Sequence, residues 1–484
     1  MKKLLTIAVC FLSVIFIKTN AQVAINNDGS SADATAMLDV KSTAKGVKFP
    51  RMTTAQRNAI PTTINDGGLM VFDTDDGGLY MFDGSQWIPF AYTKPNPLEQ
   101  MKSKSATGAS ASSYLGRSCD MSGDYAVAGA ENDSVGANVG QGSAYVFKKV
   151  NGNWVQQARL IADDGAKDEK FGSSVAIDGS YIVVGAPDAN AHIGALYVFL
   201  RNGDTWTQQA KIVPVGGKVF SYYGGCVDIE GSTIITGAVS EDVNGNSSQG
   251  CAYVYTRSGT SWSLKTKVIA NDGQAADAFG ASVSIYGSYI AVGATDVKVN
   301  AIKCGAAYVF VANRAGGYTQ QGKLLSNTPT DGSYFGASIS LDSNKVVVGS
   351  MYEMNEGATT GSAHLFTRTI STWTHNKTFY PSTTSFDLHF GWNLMIKGDM
   401  LMICASNEAM GGNEDQGCVY LYKYNPQYLA FSLVKRITDN SNTQSFEGFG
   451  ESVAFDGLNY MIGAPYTSRY PQAGQGLIFF GTFQ

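Results

Sequence analysis

The chain has 484 residues, 15% of them charged, and a formal net charge of -5. That length admits several ordinary domains or one large ring, and the low charge together with 55 glycines argues against long Glu- and Lys-rich helices. No basic stripe marks a nucleic-acid partner, and 25 Tyr and 24 Phe, many beside Val and Ile, favour strands.

Lys2 and Lys3 precede an apolar run from Leu4 to Ile17, followed by Thr19-Asn20-Ala21. This pattern predicts a signal peptide over residues 1–21, and hence a chain exported to the cell surface or the extracellular space. The run is short for a membrane span, and no later stretch is long and apolar enough to cross as a helix. Residues 22–92 read as a small β-rich unit, a stalk or attachment region. It has alternating stretches such as Ala36-Met37-Leu38-Asp39-Val40, and a hairpin of Gly68 to Phe72 with Gly78 to Phe82. Lys94-Pro95-Asn96-Pro97 reads as a linker over residues 93–97.

From residue 98 a repeat of about 56 residues takes over. An aromatic-Gly pair recurs at Phe171-Gly172, Tyr223-Gly224, Phe279-Gly280, Phe335-Gly336, Phe390-Gly391 and Phe449-Gly450, with Leu115-Gly116 as a degenerate copy. Thirteen residues after each of these glycines stands a small residue: Gly129, Gly185, Gly237, Gly293, Gly349, Cys404 or Gly463. A further glycine then opens an aromatic strand, as in GALYVF from Gly194 to Phe199, and Trp154, Trp206, Trp262 or Trp373 follows in four copies. Each copy reads as four antiparallel strands, in the second SSVAI, YIVVGA, ALYVF and TWTQQAKI. The expected fold class is therefore all-β, a seven-bladed β-propeller of four-stranded blades over residues 98–484. The seventh copy ends after three strands, at GLIFF, and residues 98–104 resemble the missing fourth. Closure of the ring by this N-terminal strand is the expectation, since it removes exposed edges.

Runs such as FGSSVAIDGSYIVVGAPD, Phe171 to Asp188, and FGESVAFDGLNYMIGAP, Phe449 to Pro465, resemble the FG-GAP repeats of integrin-α-like propellers, in their bacterial branch. That resemblance implies a seven-bladed propeller with a role in adhesion or recognition. It would also imply calcium loops, but turns such as Asp178-Gly179-Ser180 and Lys397-Gly398-Asp399 lack the oxygen ligands, so no calcium site is carried over and no cofactor is expected. Asp242-x-Asn244-x-Asn246 is the nearest approximation, in a different loop. KGVKFPRMTTAQRNAI, Lys45 to Ile60, and GLMVFDTDDGGLYMFDGSQW, Gly68 to Trp87, are similar to regions before the main domain of Bacteroidetes surface proteins and of phage tail-fibre proteins. The similarity implies surface presentation and a homo-oligomer through residues 22–92.

In a four-stranded blade the turns from strand one to two and from three to four lie on one face, and the longer two-to-three and four-to-one loops lie on the other. Binding residues concentrate on long loops of a rigid scaffold. The candidate ligand-binding residues are therefore Glu131, Asp133, Asp188, Glu241, Asp242, Asp296, Glu353, Glu356, Glu408, Asp415, Tyr352 and Tyr466 on the long-loop face. The expected partner is a glycan or an extracellular protein, and the repeat tryptophans are read as packing residues, as is His364, which stands where the second copy has Tyr197. No G-x-S-x-G, H-E-x-x-H or P-loop motif is present, and no catalytic residue is assigned. The alternative to a binding protein is a carbohydrate-active enzyme with carboxylates at the mouth of the channel, and a third reading is the head of an appendage. Six cysteines follow the leader, most at small-residue positions of the repeat, and read as buried free thiols; Cys404 and Cys418, in one hairpin, are the best candidates if a disulfide forms.

Overall fold

The structure is a computed structural model and describes residues 23–25, 38–40, 42, 47–66, 68–75, 78–82, 84–89, 101–383, 385–409, 415–425, 430–439, 448–467 and 474–483. The predicted leader, the linker and residues 98–100 of the predicted closing strand lie outside these. Two compact units divide between Leu98 and Glu99.

In the first unit Val23–Ile25 pairs in parallel with Leu38–Val40. A second sheet runs in the order Arg51–Met52, Met70–Asp73, Gly78–Phe82, Trp87–Pro89, and includes the expected hairpin. A short helix, Thr54–Asn58, opens on a capping box between Thr53 and Gln56. Its Arg57 is buried, 3.6 Å over the Tyr80 ring and 3.4 Å from Asp73 Oδ2.

Among the described residues the second unit holds seven four-stranded antiparallel sheets, the blades of a β-propeller. Blade one consists of Leu115–Ser122, Tyr125–Ala130, Ser143–Val150 and Asn153–Leu160. The other six first strands are Ser174–Asp178, Val227–Glu230, Phe279–Tyr286, Phe335–Asp342, Phe390–Lys397 and Ser452–Phe455. Residues of all seven first strands line one cavity of about 340 Å³. Blade seven takes its fourth strand from Lys102–Lys104, with Phe479 opposite Ser103.

The constant 13-residue offset has a steric origin. A Cβ at Gly129, Gly185, Gly237, Gly293, Gly349 or Gly463 would stand within about 2 Å of the carbonyl oxygen of the next blade's aromatic-Gly glycine. Backbones meet there, and only glycine leaves room. Blade six carries Cys404 at this position, and its junction with Gly450 is wider: the nearest backbone oxygen to a Cβ at Gly450 would lie 3.3 Å away, against 2.2–2.8 Å at the corresponding glycines.

Three rows of side-chain bonds run from first strands to the next blade. Ser118 Oγ donates to the Gly172 carbonyl at 2.9 Å, and Ser174, Cys226, Ser282 and Ser338 repeat the bond onward. Ser452 makes the same bond to Gly116 at 2.8 Å, so blade seven meets blade one as blades one to five meet their neighbours. Nearer the tight turns, Asp120 and Asp228 accept from the next blade's Ile177 and Ile285 N–H groups. At the turns, Asp178, Glu230 and Asp342 accept from Gly231, Gly287 and Gly398.

The tryptophans pack as expected, between blades at the outer edge. Trp206, Trp262 and Trp373 donate Nε1 to Gln157, Gln209 and Gln321 of the preceding blade. Trp154 stacks on Phe480 at 4.7 Å. The described cysteines are free thiols, as the sequence favours, and the candidate Cys404–Cys418 bridge does not form. The register explains this: Cys404 stands opposite Val419, and Cys418 opposite Ala405. Neighbouring residues on a strand point to opposite faces, so the two thiols enter different core clusters.

Candidate functional site

The long-loop face carries strained backbone in a repeated pattern. The residue before each aromatic-Gly pair has positive φ in every blade: Tyr114, Lys170, Tyr222, Ala278, Tyr334, His389 and Gly448, all between 55° and 63°. Six of these seven carry a side chain, and non-glycine residues enter this region at a cost of about 1–2 kcal/mol each.

The candidate acids separate into two groups. Asp133, Glu241, Glu353 and Glu408 are buried, at 0–6% exposure, and do not present a surface to a ligand. Each meets an aromatic side chain on the third strand of its own blade: Tyr145, Tyr253, His364 and Tyr420. In three of them a cation from the fourth strand completes the cluster, with Arg159 on Asp133 at 2.7 Å, Lys267 on Glu241 at 3.3 Å, and Arg436 on Glu408. Blades two and four have Ala189 and Val297 where these acids stand. There Asp164 and Asp272, from the four-to-one loops, pair with Lys211 and Lys323 at 2.6 Å beside Tyr197 and Tyr308. A buried carboxylate needs such partners, so the clusters of Asp133, Glu241, Glu353 and Glu408 hold their loops from beneath, while Asp164 and Asp272 are half exposed.

The remaining candidates lie nearer solvent and apart. Asp188 faces His192 at 3.5 Å, Asp296 pairs with Lys303 at 3.0 Å, and Asp242 pairs with Lys218 at 2.8 Å. Asp242 also accepts from Ser248 N–H, while Asn246 donates to Gln249 and Gly273, so the Asp-x-Asn-x-Asn stretch is tied into its own loop. Glu356 and Asp415 both have positive φ in turns. Among the described residues no group of three or more His, Cys, Asp or Glu side chains has the geometry for a metal ion.

Glu131 and Tyr466 meet at Arg117, and a run of neighbouring rings leads from Arg117 to Tyr352. Glu131 Oε1 lies 3.5 Å from Arg117 Nε, and its Oε2 accepts from Ser173 Oγ at 2.6 Å. Arg117 also bonds Glu451, which is 5% exposed. Burial opposes the Arg117 charge, but Glu451 and Glu131 outweigh it and raise its pKa. Burial pushes the Glu451 carboxyl up, against the pull of Arg117. Around this group the rings form an aromatic belt. Tyr334 meets Tyr352 at 5.6 Å, Tyr352 meets His389 at 5.0 Å, and His389 stacks on Trp392 at 5.6 Å. The Arg117 guanidinium lies 5.8 Å from the Trp392 ring, and Tyr466 meets Tyr114 at 5.5 Å beyond it. Burial and the nearby Glu451 raise the Tyr466 phenol pKa.

Arg117, Trp392 and Glu451 did not emerge from the sequence as candidates. All three follow the glycine of an aromatic-Gly pair, where the other blades have Ser173, Gly225, Ala281 and Ala337. Three bulky or charged residues at a position otherwise small are the signal that marks them.

An FG-GAP repeat model matches residues 100–147, 154–199, 206–255, 262–310 and 318–366, together half of the chain. The chain belongs to the FG-GAP repeat family, and its repeats form a β-propeller. Residues 24–107 match a phage tail like trimerisation region. No curated protein matches the chain.

Proposed function

We propose that the chain is an exported adhesion protein whose propeller binds a saccharide at the long-loop mouth of its channel. The observation that carries this reading is the belt of Tyr334, Tyr352, His389, Trp392, Tyr466 and Tyr114 around the Arg117–Glu451–Glu131 group. Ring faces supply apolar area for sugar C–H groups at low entropic cost, and the central charges supply hydrogen bonds that fix orientation. The match to a trimerisation region supports presentation as a trimer. Three linked mouths would then raise a weak single-site affinity through avidity. Among the described residues no helix is long and apolar enough to cross a membrane.

The test is a glycan array with the chain from Gln22 onward, followed by calorimetry with W392A/Y466A. Specific binding that the double variant loses is the expected result; binding unchanged by that variant would remove the mouth from the account. A second reading, glycoside hydrolysis, is favoured by one contrast: Glu451 is buried with its pKa raised, and Glu131, on the same arginine, is more exposed. Turnover of a bound saccharide that E451Q abolishes would establish it in place of simple binding.

A further inference from the structure

Five blades pair an aromatic ring with a cation at the same two strand positions, and a loop acid completes each. It comes from the two-to-three loop in blades one, three and six, and from the preceding four-to-one loop in blades two and four. The third-strand residue and its direct cross-strand partner are Tyr145 and Arg159, Tyr197 and Lys211, Tyr253 and Lys267, Tyr308 and Lys323, and Tyr420 and Arg436 in blades one to four and six. Each of these five pairs has its carboxylate: Asp133, Asp164, Glu241, Asp272 or Glu408. Blade seven has Phe479 opposite Ser103, with Thr467 at the loop position of Asp133. The phenol, the cation and an acid at the position of Asp133 are missing from that blade together.

Blade five breaks the rule. Its acid, Glu353, is 0% exposed, yet the cross-strand pair is His364 and Thr378. No Lys or Arg occupies the fourth-strand place. Glu353 Oε2 lies 2.9 Å from His364 Nε2 and accepts from Ser362 Oγ at 3.0 Å. Its Oε1 accepts from Ser326 Oγ at 3.0 Å and from Thr328 Oγ1. Hydroxyl and ring donors surround both oxygens, which fits an ionised carboxylate. A charge at that depth, without a cation, would carry its full desolvation cost.

We propose that His364 is the cation of blade five, an imidazolium in place of the missing Lys or Arg, and that its ion pair with Glu353 holds the loop carrying Tyr352. The other groups around it are compatible with this. His364 Nδ1 faces His375 Nε2 and Thr378 Oγ1, each at 3.3 Å. Burial and the neighbouring His364 lower the His375 pKa, so His375 is the neutral acceptor, and its partial exposure gives protons a route to solvent. Lys377 bonds the Phe431 carbonyl at 2.7 Å, and Lys323 of the preceding blade is held by Asp272. The Cys304 thiol is pushed up by burial, with Glu353 adding to the effect, and stays neutral. Burial works against the Glu353 charge, but His364, Thr328 and Ser362 outweigh it and hold its carboxyl below the ordinary carboxylate range.

The link to the mouth is one peptide bond. Tyr352 precedes Glu353 and packs between Tyr334 and His389. An acid that loses its cation lets the loop above it open, and Tyr352 leaves the belt. This consequence for binding rests on the saccharide reading above; the charge on His364 does not.

The experiment uses the chain from Gln22 onward, labelled with ¹⁵N-histidine, with the H364Y/T378K pair as comparison. In neutral buffer both ring nitrogens of His364 should show protonated shifts. H364Y alone, which leaves Glu353 without a cation, should lower the melting temperature by roughly a few degrees, and the pair that restores the Tyr–Lys pattern of the other blades should recover it. A neutral His364 ring overturns the proposal, as does an equal fall in H364Y and the pair. If the variants do not fold, the ring-nitrogen shifts of the wild type decide. Absence of saccharide binding would overturn the mouth reading alone, because the nitrogen shifts report the charge independently.

Discussion

Replacing Gly293 by alanine tests whether backbone contact between blades sets the spacing of the repeat. The new Cβ would lie 2.0 Å from the Gly336 carbonyl oxygen and 2.4 Å from Ser282 Oγ. The serine can rotate away, but the carbonyl belongs to the backbone of the next blade and must move by about an ångström. Blade six shows that such a shift is accommodated, because Cys404 holds its junction open by a similar amount. Overpacking of this kind costs about 1–3 kcal/mol, and a backbone obstacle places G293A at the upper end. With an unfolding entropy of about 2.1 cal/mol/K per residue over roughly 390 residues, a loss of about 3 kcal/mol lowers Tm by about 4 °C. Differential scanning calorimetry against G317A makes the comparison, since a Cβ at Gly317 would meet only the Asn313 side chain, at 3.7 Å. Equal melting temperatures for G293A, G317A and wild type would refute the steric account.

Three further outcomes follow from the same geometry. Deleting residues 101–105 removes the strand paired with Ile478–Phe480, and the melt should fall sharply with faster amide exchange across Leu477–Thr482; an unchanged melt would reject this closure. D133N leaves Arg159 without its buried partner and should cost about 3–5 kcal/mol by denaturant titration, whereas D242N, on an exposed pair, should leave the midpoint unchanged. Burial in the channel pushes Asp120 up to about 6 and Asp228 up to about 7, above the unfolded value of about 3.9. The folded state therefore holds these protons more tightly, so stability rises as pH falls from about 7 to about 4, and D228N should flatten that rise in melts recorded across the window.

The propeller was legible because its cause is local and repeated. Each glycine that must touch the next blade stands 13 residues after its own blade's aromatic-Gly glycine, Gly185 after Gly172 and Gly349 after Gly336. The acids were not legible in the same way. Asp133 and Asp242 look alike in a loop; what separates them is a ring 12 residues on and a cation 26 residues on, Tyr145 and Arg159, which only strand pairing brings together. The same spacing marks Glu241 with Tyr253 and Lys267, so the signal was present but depended on register. His364 was read as a packing residue, and it does pack against Phe335, but its partner Glu353 makes it part of a charge cluster.

Hydrogen–deuterium exchange of the mature chain with and without a saccharide found on the array tests the location of binding most directly. The account predicts slower exchange around Tyr114–Arg117, Tyr352, His389–Trp392 and Tyr466, with no change at the tight turns near Gly123, Gly179 and Gly287. Protection confined to those turns, or to the first unit, would contradict it.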